Sequence, residues 1–89
     1  MDENLYNHIK GLILIKLMNR NMWEHKHTSI NNISKGLDPQ LKGTREMKRA
    51  INDMIKEGWL HPKPTHYGLE LSLNIKKKKN IEDFIEKNL

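Results

Sequence analysis

The chain has 89 residues, a length that forms one domain with a modest core and excludes most large catalytic scaffolds. It contains no cysteine, which excludes disulfides, thiolate nucleophiles and sulfur-based metal sites and suits a reducing cytoplasm. With 16 Lys and Arg against 11 Asp and Glu, the formal net charge of +5 favours a polyanionic partner, nucleic acid before an anionic membrane.

The first predicted element is an amphipathic helix over residues 4–19, followed by the polar stop Asn19-Arg20-Asn21. The apolar residues that define it fall at three- and four-residue spacings, which places them on one side: Leu5, Ile9, Leu12, Ile13 and Leu17.

A short helix over residues 29–36 is predicted next, after a brief extended segment at His25–Thr28. Ser29 can cap this helix, because its hydroxyl can accept a free backbone N–H of the first turn. Gly36 fits the left-handed position that closes a helix. The sequence Asp38-Pro39-Gln40 then predicts a turn.

The clearest predicted helix covers residues 44–58, with Thr44 as its cap and Gly58 as its end. Its apolar positions follow a continuous helical series: Met47, Ala50, Ile51, Met54 and Ile55.

A β-hairpin is predicted over residues 59–75, with a turn at Pro64–Gly68 and an alternating apolar and polar strand after it. A final helix over 80–88, started by Asn80 or by Asn74, has one apolar side. That side either packs on the first helix or forms a homodimer with a second copy through the terminal helices. The lysine run at 76–79 contacts a polyanion or forms a solvated first turn of this helix.

This order of elements predicts an α+β winged helix-turn-helix domain over residues 1–89. Its parts are a three-helix core, a short strand, a β-hairpin wing and a C-terminal helix. Such folds place the second long helix, here 44–58, in the major groove of DNA.

The predicted solvent side of helix 44–58 suits this role. Arg45 and Arg49 can bind the guanine edge, and Asn52 can bind adenine through two hydrogen bonds. The other predicted DNA contacts are with phosphates or the adjacent minor groove, and they involve the lysines of the helix and its approach, the helix cap and the hairpin tip: Lys42, Lys48, Lys56, Thr44, Lys63, His66 and Tyr67.

The alternative is a winged-helix adaptor that contacts another protein and binds no DNA. Any amphipathic surface helix has a charged outer side, and Glu46, Asp53 and Glu57 share this helix, where Asp53 can pair with Lys56. Structured RNA is less favoured as a partner, because the two tryptophans, Trp23 and Trp59, lie outside any basic aromatic cluster.

Four segments resemble a group of small archaeal winged helix-turn-helix proteins, and together they span a little over half of the chain: Lys26–Gly36, Leu41–Gly43, Ile55–Leu60 and Lys63–Asn74. The resemblance implies a winged-helix fold and a DNA-binding role in transcription regulation. It implies no particular operator or effector.

Metal binding and catalysis are not predicted. Five histidines are present, but none follows the helical spacings of zinc ligands. The chain has no glycine-rich phosphate loop and no nucleophile elbow, so we expect neither a cofactor nor an enzymatic activity.

The cellular location is predicted from the same sequence. The longest apolar run, Leu12–Ile15, is too short to span a bilayer, and the N-terminal segment lacks the features of a secretory signal. The expected protein is therefore cytoplasmic, with double-stranded DNA and no membrane as its partner.

Overall fold

The computed structural model describes residues 3–41 and 44–89, which form four α-helices and a three-stranded antiparallel sheet. The predicted α+β class is thereby confirmed. The elements follow one another as α1 (Glu3–Asn19), β1 (Thr28–Ser29), α2 (Ile30–Ser34), α3 (Arg45–Lys56), β2 (Leu60–Thr65), β3 (Gly68–Leu73), a 3-10 turn (Ile75–Lys77) and α4 (Lys78–Asn88).

Helix α1 ends at the predicted polar stop. Asn21 adopts a left-handed φ of 55°, and its N–H donates to the Met18 carbonyl at 3.0 Å. The Met22 N–H reaches back to the Leu17 carbonyl, also at 3.0 Å. These two bonds satisfy carbonyls that the end of a helix otherwise leaves without partners.

The brief extended segment predicted at His25–Thr28 is present but lies later in the chain, because the chain turns at Glu24 and His25 and β1 covers Thr28–Ser29. The Lys26 N–H donates to the Trp23 carbonyl at 3.1 Å, which closes the turn. The reason is the sheet: the Glu24 N–H already donates to Leu73 of β3 at 3.0 Å, so the chain must reverse before it rejoins β3 as β1.

Helix α2 begins as predicted, with the Ser29 hydroxyl accepting the Asn32 N–H at 3.1 Å. The left-handed closure predicted at Gly36 is wrong. Among the described glycines only Gly58 and Gly68 have a positive φ. The Gly36 N–H instead donates to the Ile33 carbonyl at 3.3 Å, so the chain leaves α2 through further right-handed turns.

Both predicted ends of α3 are confirmed. The Thr44 hydroxyl accepts the Met47 N–H at 3.2 Å. At the other end Gly58 has a φ of 79°, and the Trp59 N–H donates to the Met54 carbonyl at 2.9 Å. Hydrogen bonds inside the chain thus fix the start and the end of this helix.

The strands are ordered β1-β3-β2, and β2 and β3 form the predicted hairpin. Thr65 pairs with Gly68, so the turn consists of His66 and Tyr67 alone and is tighter than the predicted turn over residues 64–68. The Asn74 N–H donates to the Trp59 carbonyl, so these two residues form a hydrogen-bonded pair. Hydrogen-bonded and non-hydrogen-bonded pairs alternate along antiparallel strands, so Pro62–Leu71 and Pro64–Leu69 are non-hydrogen-bonded pairs. The nitrogens of Pro62 and Pro64 therefore face the open edge of β2.

Helix α4 begins two residues before the predicted start at Asn80. The Asn74 side chain caps the 3-10 turn by accepting the Lys76 N–H at 3.0 Å, and this turn continues directly into α4. The lysine run therefore lies on the 3-10 turn and the first turn of α4, where Lys79 pairs with Asp83 at 3.5 Å.

The core lies between α1, α3, α4 and the inner face of the sheet. Of the two alternatives for the apolar side of α4, packing on α1 is what the structure shows. Ile81 is fully buried, and Leu89 lies so close to α1 that a Cβ added to Gly11 would come within 3.0 Å of it. The Phe84 ring packs edge-on against Trp59 with the ring centroids 5.3 Å apart.

None of the helices within residues 3–41 and 44–89 combines the length and the apolar character that crossing a bilayer requires.

Candidate nucleic-acid interface

Helix α3 divides sharply into an inner and an outer side. Its inner side is buried against the core and consists of Met47, Ala50, Ile51 and Met54. These are four of the five residues in the predicted apolar series, and the fifth, Ile55, is half-buried. The opposite side therefore faces solvent, as helical periodicity requires.

The outer side carries five exposed residues, all predicted to contact DNA: Arg45, Lys48, Arg49, Asn52 and Lys56. Among the described residues, Arg45, Lys48 and Lys56 have no carboxylate within ion-pair distance. Lys42 lies outside the described residues. The three cationic groups of α3 are thus available to an external anion.

The acidic residues of α3 face a different direction. Glu46, Asp53 and Glu57 share the flank next to the outer side, because they are spaced by seven and four residues. Helix α1 supplies donors to two of them. Tyr6 donates a hydrogen bond from its hydroxyl to Asp53, and Lys10 Nζ lies 3.3 Å from the Glu57 carboxylate.

Arg49 lies between these two regions. Its Nε is 3.8 Å from Asp53 Oδ2, and its guanidinium carbon lies 4.9 Å from the centre of the Tyr6 ring. Asp53 therefore pairs with Arg49 rather than with Lys56 as the sequence suggested. The Arg49 side chain is still 67% exposed, so these contacts orient it without covering it.

The Tyr6 hydroxyl holds its proton more strongly than a free phenol does. Burial, reinforced by the hydrogen bond to Asp53 and the charge of that carboxylate, raises the pKa of Tyr6 to about 12. The phenol therefore stays protonated at neutral pH and keeps donating to Asp53.

Lys10 is a charged residue that the sequence interpretation missed. It is only 6% exposed, and its ammonium lies between 5.2 and 5.7 Å from the ring centres of Tyr6, Trp59 and Phe84. Such distances permit cation–π attraction, and Glu57 provides the opposite charge. The spacing of Tyr6, Lys10, Ile13 and Leu17 on one helical stripe is the signal that could have revealed it.

A groove of about 630 Å³ separates α2 from α3. Its floor is apolar, formed by Ile30, Met47 and Ile51, and Lys35 and Lys48 lie at its polar margin. A second depression of about 260 Å³ continues from Lys48 and Asn52 to Leu69 of the hairpin. The outer side of α3 is thus bordered by α2 on one flank, and the second depression extends from it to the turn end of the hairpin.

The hairpin tip presents its predicted contact residues to solvent. Lys63, His66 and Tyr67 are exposed, and the Tyr67 side chain is 98% exposed. The Thr65 hydroxyl accepts the Tyr67 N–H at 3.2 Å and donates to the Gly68 carbonyl at 2.6 Å, which holds the turn. Lys63 lies opposite Glu70 in the strand register.

The histidines do not form a shared site. His61 Nε2 lies 2.7 Å from Glu24 Oε2, and His66 is at the opposite end of β2 in the hairpin turn. In the part of the chain that the structure describes, no three side chains of the metal-binding types come together.

Comparison of the chain with protein-family models, with curated proteins and with solved structures yields no match.

Proposed function

We propose that this protein is a winged helix-turn-helix domain that binds double-stranded DNA, with α3 in the major groove and the β2–β3 hairpin as its wing. The element order and the β1-β3-β2 sheet are compatible with that layout. A single helix fits the width of the major groove, about 12 Å. The proposed role is non-enzymatic regulation of transcription in the cytoplasm.

The observation that carries the proposal is the separation of charge around α3. Any amphipathic surface helix has charged residues, and mixed charges would repel a phosphate as much as attract it. On α3 the acids that contact α1, Asp53 and Glu57, lie on one flank, while Arg45, Lys48 and Lys56 face solvent. The outer side therefore offers an anion a cationic surface despite the acids in the same helix.

The residues of this surface have distinct proposed roles. Arg45 can bind a guanine edge and Asn52 an adenine edge, because their side chains offer paired hydrogen-bonding atoms. Lys48 and Lys56 suit phosphates, to which an ammonium binds as a point charge. The start of α3 at Thr44 would approach a phosphate, and Lys63, His66 and Tyr67 of the wing would reach the adjacent backbone or minor groove.

The proposal includes a homodimer through the terminal helices, because a two-fold operator is commonly read by two copies. Leu5 and Leu89 are 44% and 48% exposed and provide apolar surface on α1 and beyond α4. Sedimentation of the protein with and without a duplex measures the number of copies. One copy per duplex at every concentration would contradict this part.

Duplex binding across a range of salt concentrations tests the central proposal. With four to six phosphate contacts per protomer, the logarithm of the binding constant should fall against the logarithm of salt with a slope of about −4 to −5. Lys56→Gln should make the slope less negative by about 1. Fluorescence anisotropy with a labelled duplex measures both values.

Lys87→Gln is the matched control for that experiment, because Lys87 is exposed in the last turn of α4 and lies outside α3, the wing and the lysine run. It should leave the slope unchanged. If no duplex binds at low salt, the proposal is wrong. The adaptor alternative would then be favoured, and the apolar floor of the groove between α2 and α3 is the surface that would serve it.

A further inference from the structure

Arg49 differs from the other cations of α3 because its position is set before any ligand binds. The ring of Tyr6 lies beneath its guanidinium, 4.9 Å from the guanidinium carbon to the ring centre. Asp53 lies one turn further along α3, with 3.8 Å between Asp53 Oδ2 and Arg49 Nε. The Tyr6 hydroxyl donates to the same carboxylate, so three side chains from two helices support one another.

The geometry leaves the binding end of Arg49 open. Nε is the guanidinium nitrogen nearest the backbone, and it is the one that Asp53 approaches. The outer amino groups therefore lie at the distal end of a side chain that is 67% exposed. A planar fork that is already oriented loses less side-chain entropy on binding than a freely rotating one.

An oriented fork suits a base better than a phosphate. Phosphates are bound well by flexible point charges, which Lys48 and Lys56 supply on the same helix. Guanine presents two acceptors, O6 and N7, in the major groove, and a planar arginine can satisfy both. A carboxylate beside the arginine weakens general attraction to DNA, so its presence is useful only where orientation matters.

We propose that Tyr6 and Asp53 are positioning residues that hold Arg49 to read a guanine in the major groove. This inference rests on the proposed function and deepens it. The DNA sites that this protein prefers would contain a guanine at the position facing the α1 flank of α3. Helix α1 thereby contributes to base selection without touching DNA.

Selection from a randomised duplex pool tests the inference, with sequencing of the bound fraction for the native chain and for variants. The native chain should enrich guanine by about 5- to 150-fold over the other bases at the position that Arg49 reads, separately from any guanine that Arg45 reads. Arg49→Lys keeps the charge but loses the fork, so it should abolish that enrichment while the salt slope of binding stays unchanged.

Variants of the two positioning residues should change guanine enrichment and general duplex affinity in different ways, which a merely structural role would not produce. Asp53→Asn removes a negative charge near DNA, so binding to an unselected duplex should tighten while guanine enrichment falls about threefold or more. Tyr6→Phe keeps the ring but loses the hydroxyl that holds Asp53, so guanine enrichment should fall without tighter general binding.

Glu46→Gln is the matched control, because it removes an acid from the same flank that has no described contact with Arg49. It should tighten general binding and leave guanine enrichment intact. Thermal unfolding verifies that each variant is folded. If Asp53→Asn does not fold, the conservative Tyr6→Phe carries the test.

The outcomes separate this inference from the proposed function. If the pool does not bind at low salt, the proposed function fails. If bound sequences are enriched but guanine enrichment is unaffected by Tyr6→Phe and by Asp53→Asn, the positioning role is overturned and duplex binding stands. Higher guanine enrichment in both variants would also overturn it, because Tyr6 and Asp53 would then be restraining Arg49.

Discussion

The phenol of Tyr6 connects α1 to α3, and its ionisation should lower the stability of the fold at high pH. Its pKa is raised from near 10 to about 12, first by burial and then by the hydrogen bond to Asp53. The folded state therefore holds this proton more tightly than the unfolded chain does. The stability from this group is complete below pH 10 and is lost as the pH rises through about 12.

We expect the native chain to lose more free energy of unfolding between pH 10 and pH 12 than Tyr6→Phe does. Lysines titrate in the same range in both proteins, so the difference between the two curves isolates the phenol. Urea denaturation at several pH values measures it. Parallel curves for the two proteins would contradict the expected contribution of Tyr6.

Residues that join distant parts of the chain were the hardest to predict. The sequence interpretation placed Arg45, Lys48, Asn52 and Lys56 on an exposed side, because periodicity along one helix is sufficient for that. It missed the neighbours of Arg49. Tyr6 and Asp53 are 47 positions apart in the chain, and only the packing of α1 on α3 brings them together.

At the scale of elements, Gly58 is the residue whose backbone most directly ends α3. Its φ of 79° is unfavourable for a residue with a Cβ. Gly58→Ala should lower the free energy of unfolding by about 1–2 kcal/mol. Gly58→Asn should cost less, because asparagine tolerates the left-handed region. Chemical denaturation compares the three proteins, and equal stability of the alanine and glycine forms would contradict the argument.

Helix ends were predicted well where the hydrogen bonds are local. The caps at Ser29 and Thr44 join residues three positions apart, so the sequence around them is informative. The start of the extended segment predicted at His25–Thr28 and the closure at Gly36 were predicted wrongly. Pairing with Leu73 of β3 decides the first. At Gly36 the glycine allows a close approach instead of a left-handed φ, because a Cβ there would clash with the Lys16 side chain of α1. The conformational propensities of the neighbouring residues do not predict either outcome.

At the scale of the whole molecule, α4 is part of the core. Ile81 is fully buried, whereas Ile85 on the same helix is partly buried. Ile81→Ala should therefore cost about 2–5 kcal/mol of the free energy of unfolding, and Ile85→Ala should cost less. Denaturant titration measures both. Equal small losses would mean that α4 detaches from the rest of the fold before global unfolding.

More of the overall layout than of the site could be predicted from the sequence, because each helix and strand has its own periodicity of apolar residues. The hairpin, the amphipathic helices and their order follow from the spacing of apolar residues along the chain. The contact between α1 and the acidic flank of α3 depends on the angle between the two helices. The spacing of residues along either helix does not determine that angle. The contacts of Asp53 and Glu57 with α1 therefore became visible only in three dimensions.

The prolines at the open edge of β2 bear on whether neighbouring copies of this chain can join through their sheets. A strand arriving from a neighbouring molecule would find no amide hydrogen at Pro62 or Pro64, so it could not extend the sheet there. Neighbouring copies would therefore stay separate units instead of merging through their sheets into a continuous fibril.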